Sequence, residues 1–161
     1  MTSGNFAPKS LVLLAVAAWA FAAAPSGGSA APRQDTSKSV TLDYEFFKAR
    51  VEPIFLKRRP THARCYACHA SNTGPQYLVR LSPGNSTWTE EQSRKIFQNV
   101  SRLVDHSDPM NSRLLIHPLS PMAGGDVHGG GRQFDSKDDP DWQAIAAWAS
   151  GQKLSSSSAS Q

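Results

Sequence analysis

Cys65-Tyr66-Ala67-Cys68-His69 is the stretch on which the reading of this chain turns, because it holds both of the cysteines in 161 residues. Three chemistries compete for two cysteines so spaced. A disulfide closing so short a loop constrains little of the unfolded chain and stabilises weakly. A thiol redox pair of this spacing expects a strand before it and a helix after it in an alternating fold, and that pattern is missing. Tetrahedral zinc needs further ligands at suitable spacing, and there is no second cysteine pair. The remaining chemistry uses all five residues. C-x-x-C-H attaches haem: each thiol adds to one vinyl group, and the adjoining histidine is carried beneath the iron. The sequence therefore predicts one covalent haem c, with thioethers at Cys65 and Cys68 and His69 as the proximal axial ligand of the iron.

Outward from this motif, both ends of the chain differ from folded domain. Lys9 is the one charged residue before Arg33, and Leu11 to Ala23 is an apolar run of 13 residues followed by a Gly/Ser/Ala stretch. That order is a secretory leader, and the run is shorter than the roughly 20 residues of a membrane span. Residues 1–31 are expected to be a cleaved signal peptide and 32–39 a flexible linker. Residues 40–153 form one domain, and 154–161 a disordered Ser-rich tail. An exported, periplasmic or extracytoplasmic protein follows. A membrane enters only if the leader is retained or the chain is a subunit of a respiratory complex. The net charge of +4 is scattered except at Lys57-Arg58-Arg59. Export argues against nucleic acid there, leaving a solvated face or a docking surface for an acidic redox partner.

Within the domain the apolar periodicity is helical. Phe47, Val51 and Ile54 make one stripe, so residues 44–56 read as a helix, with Asp43 as cap. Pro53 sits inside that pattern and should kink it or end it near Glu52. Residues 87–104 form the clearest helix, capped by Thr87 or Thr89, with Ile96, Phe97, Val100, Leu103 and Val104 on one face. Leu114 to Ile116 is a short apolar run, read as a brief helix or a buried extended piece. Residues 118–139 are irregular and glycine-rich, and a loop that long in a compact domain usually has a function. Residues 141–150 close the domain as a helix, with Pro140 in the first turn, Asp138 or Asp139 as cap and Gly151 as stop. The tryptophans read as core.

The chain resembles a class I-like bacterial cytochrome c domain, and more specifically a set of exported bacterial cytochrome-like domains. The likeness runs through Val51-Glu-Pro-Ile-Phe55, the haem motif, Ser112-Arg-Leu-Leu115, Pro118-Leu119, Gly124-Gly125, His128-Gly-Gly130 and Trp148, over most of residues 44–151. It implies an all-α, small cytochrome c-like helical domain whose long loops wrap one covalent haem, and whose first and last helices cross. It also implies single-electron transfer between redox partner proteins rather than enzyme catalysis. A peroxidase-like haem enzyme and a haem-based gas-binding module are the alternatives. The sixth iron ligand lies between two residues of the glycine-rich loop. A methionine such as Met122 is the usual distal ligand in class I-like cytochromes. His128 lies among glycines that let backbone approach a haem closely, and it falls on the His-x-Gly-Gly of the resembling domains. His128 is the expectation and Met122 the alternative. His62 is too near the motif to cross to the other face. His106 and Met110 read as exposed turn residues, and His117 as a satisfied core histidine.

Overall fold

A computed structural model describes residues 39–60 and 62–155; the expected leader and most of the expected tail lie outside these. The described residues are helices joined by long irregular segments, with no strand among them and two isolated bridges, Arg59 with His62 and Leu119 with Phe134. Five helical elements matter. Residues 44–56 form α1, Cys65–His69 α2, Glu90–Ser101 α3, Arg113–Ile116 α4 and Pro140–Ala149 α5.

Helix α1 departs from its expected end. It runs on past Pro53 to Leu56, because the backbone loosens to a π-helix over Phe47–Val51 immediately before the proline. The Glu52 N–H reaches back to the Phe47 carbonyl, five residues away. This wider turn makes room for a proline ring that would collide with the carbonyl four residues earlier in an ordinary α-helix. Asp43 caps the element by accepting from the Phe46 N–H at 2.6 Å.

The other helices are set by their caps. Thr89 and Gln92 form a reciprocal capping box at the start of α3, each side chain taking the other's backbone N–H. The helix begins at Glu90, three residues later than the apolar pattern alone indicates. Asp139 caps α5 by accepting from the N–H groups of Asp141 and Trp142, and Pro140 occupies the first turn. Gly151 ends the helix with φ 86°, the left-handed turn that glycine makes without strain.

The core is built where α1, α3 and α5 meet. Phe47 lies 5.1 Å from Trp148 and 5.4 Å from Phe97, ring centre to ring centre. Phe47, Val51, Ile96, Val100 and Trp148 are fully buried. The Trp148 indole N–H donates to the Asp43 carbonyl at 2.9 Å, and that of Trp142 to the Leu115 carbonyl at 3.1 Å. These two core indoles therefore bury their one polar atom already satisfied.

The Lys57-Arg58-Arg59 triplet is less free than its sequence implies. Lys57 pairs with Asp141 at 2.7 Å, and Arg59 pairs with Asp139 and Asp141 while lying over the Phe134 ring. Two of the three charges thus tie the end of α1 to the start of α5, and only Arg58 is left as a solvated cation.

Candidate functional site

Helix α2 is a single turn carrying the whole C-x-x-C-H stretch. Its last residue, His69, is 7% exposed and so belongs to the interior. The chain then folds back on itself. The Leu78 N–H bonds to the His69 carbonyl at 3.1 Å, and the Tyr77 ring stacks on the His69 ring at 4.3 Å. His69 Nδ1 is 2.8 Å from the Pro75 carbonyl oxygen. A carbonyl only accepts, so the proton resides on Nδ1 and the lone pair on Nε2. Burial and the neighbouring His128 and His117 hold this imidazole below its ordinary pKa, partly offset by the bond to Pro75. It is therefore a neutral ring with one nitrogen free to bind a metal.

Facing this turn is the loop after α4. Its base is clasped by backbone bonds: Gln133 and Phe134 donate to the Pro118 carbonyl, and Ser120 donates to the Phe134 carbonyl at 2.8 Å. Asp126 donates to the Ile116 carbonyl at 3.0 Å, which folds the loop back over α4. The result brings His128 to His69. Their ring centres are 5.9 Å apart and their planes differ by 9°. His128 Nδ1 is 2.7 Å from the Gly131 carbonyl oxygen, so it too carries its proton on Nδ1 and its lone pair on Nε2. Gly130 is needed locally, since a Cβ there would come within 3.3 Å of the His128 ring.

His69 and His128 line one cavity of about 290 Å³, together with both cysteines. That is near the lower end for small-molecule and cofactor sites. Its apolar wall comes from Ile54, Phe55, Leu103, Leu114, Phe134 and Ile145, that is, from α1, α4, α5, the turn after α3 and the loop after α4. Arg64 and Arg113 stand at the lining, with no carboxylate partner among the described residues. The thiols are unpaired with each other, and burial pushes Cys65 up to about 11. A thiol held protonated is the opposite of what a redox or nucleophilic cysteine requires.

The expected site residues thus separate cleanly by position. Cys65, Cys68, His69 and His128 share the cavity, while Met122 is fully exposed and takes no part in its lining. Met110 is exposed, and His106 bonds to the Val40 carbonyl at the surface. His117 differs from its expectation. It lines the cavity, its ring centre lies 4.8 Å from that of His128, and its Nδ1 is buried without a hydrogen-bond partner. Arg113, Arg64 and Gln133 are cavity residues for which periodicity gave no signal. A larger, more open hollow of about 670 Å³ lies beside α1 and α5 and contains neither histidine nor cysteine.

No family model, no curated protein and no solved structure matches this chain.

Proposed function

We propose that this protein is an exported monohaem c-type cytochrome, resembling class I-like bacterial cytochrome c domains, that passes single electrons between redox partner proteins. One observation carries the reading: the ring of His69, fixed beside Cys65 and Cys68, faces a near-parallel His128 ring across a shared cavity. Two imidazoles binding one metal from opposite sides, each at about 2.0–2.1 Å, would set their ring centres roughly 6.4 Å apart. The separation here is 5.9 Å.

The residues present also suit haem in kind. Among the described residues no group of three or more His, Cys, Asp or Glu side chains could hold a metal ion. Two histidines alone make a poor metal cage, but they suffice where a porphyrin supplies the other four nitrogens. Cys65 and Cys68 would hold the vinyl groups, His69 and His128 the iron, and Arg64 and Arg113 are the cations available to the propionates. When bound, haem supplies a one-electron couple, and histidine on both faces favours a lower potential than histidine with methionine. The chain's own residues do the rest. Pro75 and Gly131 fix the tautomers of the two histidines, as second-shell carbonyls do at metal sites. Phe55, Leu114 and Ile145 give the cavity an apolar wall against which a porphyrin face would pack. With His69 and His128 both held for the iron, no open position would remain for peroxide or a gas.

The test uses the full chain expressed with cytochrome maturation machinery. Haem should resist acid-acetone extraction and add one haem to the protein mass. Visible spectra should be low-spin in both redox states, unchanged by carbon monoxide, and without the weak sulfur-to-iron band of His/Met haem. Freely extractable haem refutes attachment. That band in wild type, lost in Met122→Leu and kept in His128→Ala, gives the distal site to Met122.

A further inference from the structure

We infer that His117 is a reserve distal ligand, placed to take the iron when His128 leaves it; this rests on the haem reading above. The two histidines line the same cavity but are mounted differently. His117 is the C-terminal cap of α4, its N–H bonded to the Arg113 carbonyl at 3.1 Å, and it follows the buried Leu114 and Leu115. His128 sits in a turn closed by the Gly131 N–H at 2.9 Å and by its own ring on the Gly131 carbonyl. Exposed glycines follow it directly. Segments with few buried contacts and exposed backbone bonds open before the core does. His128 is therefore the ligand on the weaker mount and His117 the one on the firmer.

The hydrogen bonding separates them further. His69 and His128 each have Nδ1 against a carbonyl oxygen, whereas the buried Nδ1 of His117 has no partner. Native proteins seldom leave a buried polar atom so, and each instance calls for a reason. With no hydrogen bond holding its Nδ1, the His117 ring can turn toward the metal without breaking one. The reach is short as well. With the iron midway between His69 and His128, half of 5.9 Å plus 4.8 Å places the His117 ring centre within about 8 Å of it. A bound imidazole has its centre roughly 3 Å from the metal. The shift required is then at most about 5 Å, within reach of a side-chain rotation combined with displacement of the glycine turn.

The consequence is an iron that stays six-coordinate while its loop moves. Four proteins test it: wild type, His117→Ala, His128→Ala and the double variant, each matured with haem. Spin state is read from visible spectra, and access to the ferrous iron from carbon monoxide binding. Wild type and both single variants should be low-spin and unreactive, and the double variant high-spin and reactive. A high-spin, carbon monoxide-binding His128→Ala overturns the proposal. So does a high-spin His117→Ala, since His117 would then be the principal ligand. If His128→Ala does not fold, urea titration of wild type against His117→Ala decides. Loss of the low-spin spectrum before loss of helix only in His117→Ala supports the reserve role, and identical titrations overturn it. Haem that extracts freely from wild type overturns the haem reading and the proposal together, whereas a low-spin wild type with a five-coordinate His128→Ala overturns the proposal alone.

Discussion

The glycine-rich loop makes its geometry testable residue by residue, because three of its glycines face different surroundings. A Cβ built on Gly125 would lie 2.0 Å from the Leu119 carbonyl oxygen and 2.4 Å from its carbon. Leu119 is fully buried and cannot step aside. An alanine there must push backbone from backbone by about 1 Å or more, which costs roughly 1–3 kcal/mol in overpacking. It also strains the Gly125-to-Ser120 and Ser120-to-Phe134 bonds, 2.9 and 2.8 Å long, at about 1 kcal/mol each. Gly125→Ala should therefore destabilise by about 3–5 kcal/mol, lowering the melting temperature by roughly 15 °C or more. Gly131 has nothing within 4 Å of its would-be Cβ but a φ of 76°, so Gly131→Ala carries only the left-handed penalty of about 1–2 kcal/mol. Gly129 has neither problem, and Gly129→Ala should be neutral or gain up to about 1 kcal/mol by stiffening the unfolded chain. Urea denaturation followed by circular dichroism measures all three. Equal losses for Gly125→Ala and Gly129→Ala would refute the packing of the loop against Leu119, and with it the clasp that brings His128 to the cavity.

Two further predictions concern carboxylates away from the cavity. Burial holds the Glu52 carboxyl above its ordinary value, against the pull of Ser93 and Lys48, and its Oε2 is buried without a partner. A raised carboxyl pKa means that stability falls as pH rises through the shifted range. Glu52→Gln should thus gain about 1 kcal/mol near neutral pH and nothing near pH 4, and equal gains at both would sink the argument. Asp139 is the reverse case. Burial pulls it up, but the Arg59 guanidinium and the N–H groups of Asp141 and Trp142 hold it below its ordinary value. Its stabilisation is complete above the ordinary Asp range and is lost as pH falls through the depressed value. Asparagine caps about as well as aspartate, so Asp139→Asn isolates the ion pair. It should lose about 1–2 kcal/mol near neutral pH and show a flatter acid limb in thermal melts; an unchanged acid limb would contradict the assignment. A third concerns the histidines themselves. If both imidazoles bind the haem iron as proposed, with their planes 9° apart, the oxidised, haem-loaded protein should give a rhombic low-spin electron paramagnetic resonance spectrum. The strongly anisotropic type would mean crossed ligand planes.

Features with local causes were the ones legible in the sequence. Asp43, Thr89 and Asp139 cap helices through bonds that span two or three residues, so their neighbours suffice to read them. The stripe Phe47, Val51 and Ile54 is buried as the periodicity requires. The π turn before Pro53 escaped because periodicity records which side chains are apolar, not how a backbone absorbs a missing donor. His117 escaped for a different reason. It follows Leu114-Leu115-Ile116, and a histidine after an apolar run reads as core. Its nearness to His128 depends on bonds between segments far apart in sequence: Gln133 and Phe134 to Pro118, Asp126 to Ile116. No spacing rule contains them.

That same clasp bears on the choice between carrying electrons and binding an external ligand. A peroxidase-like or gas-binding site needs one axial position kept open, usually under an apolar or acid-base distal wall. On the haem reading, the distal wall here holds two imidazoles 4.8 Å apart. An open iron would require both to withdraw, one of them anchored to α4. Met122 offers no third possibility nearby, being fully exposed on the short turn Pro121–Ala123. On that reading, one histidine on one side of the metal and two on the other would favour an iron that stays closed while its loop moves. The physical demand on such a protein is small structural change between its two oxidation states, which is the demand of electron transfer.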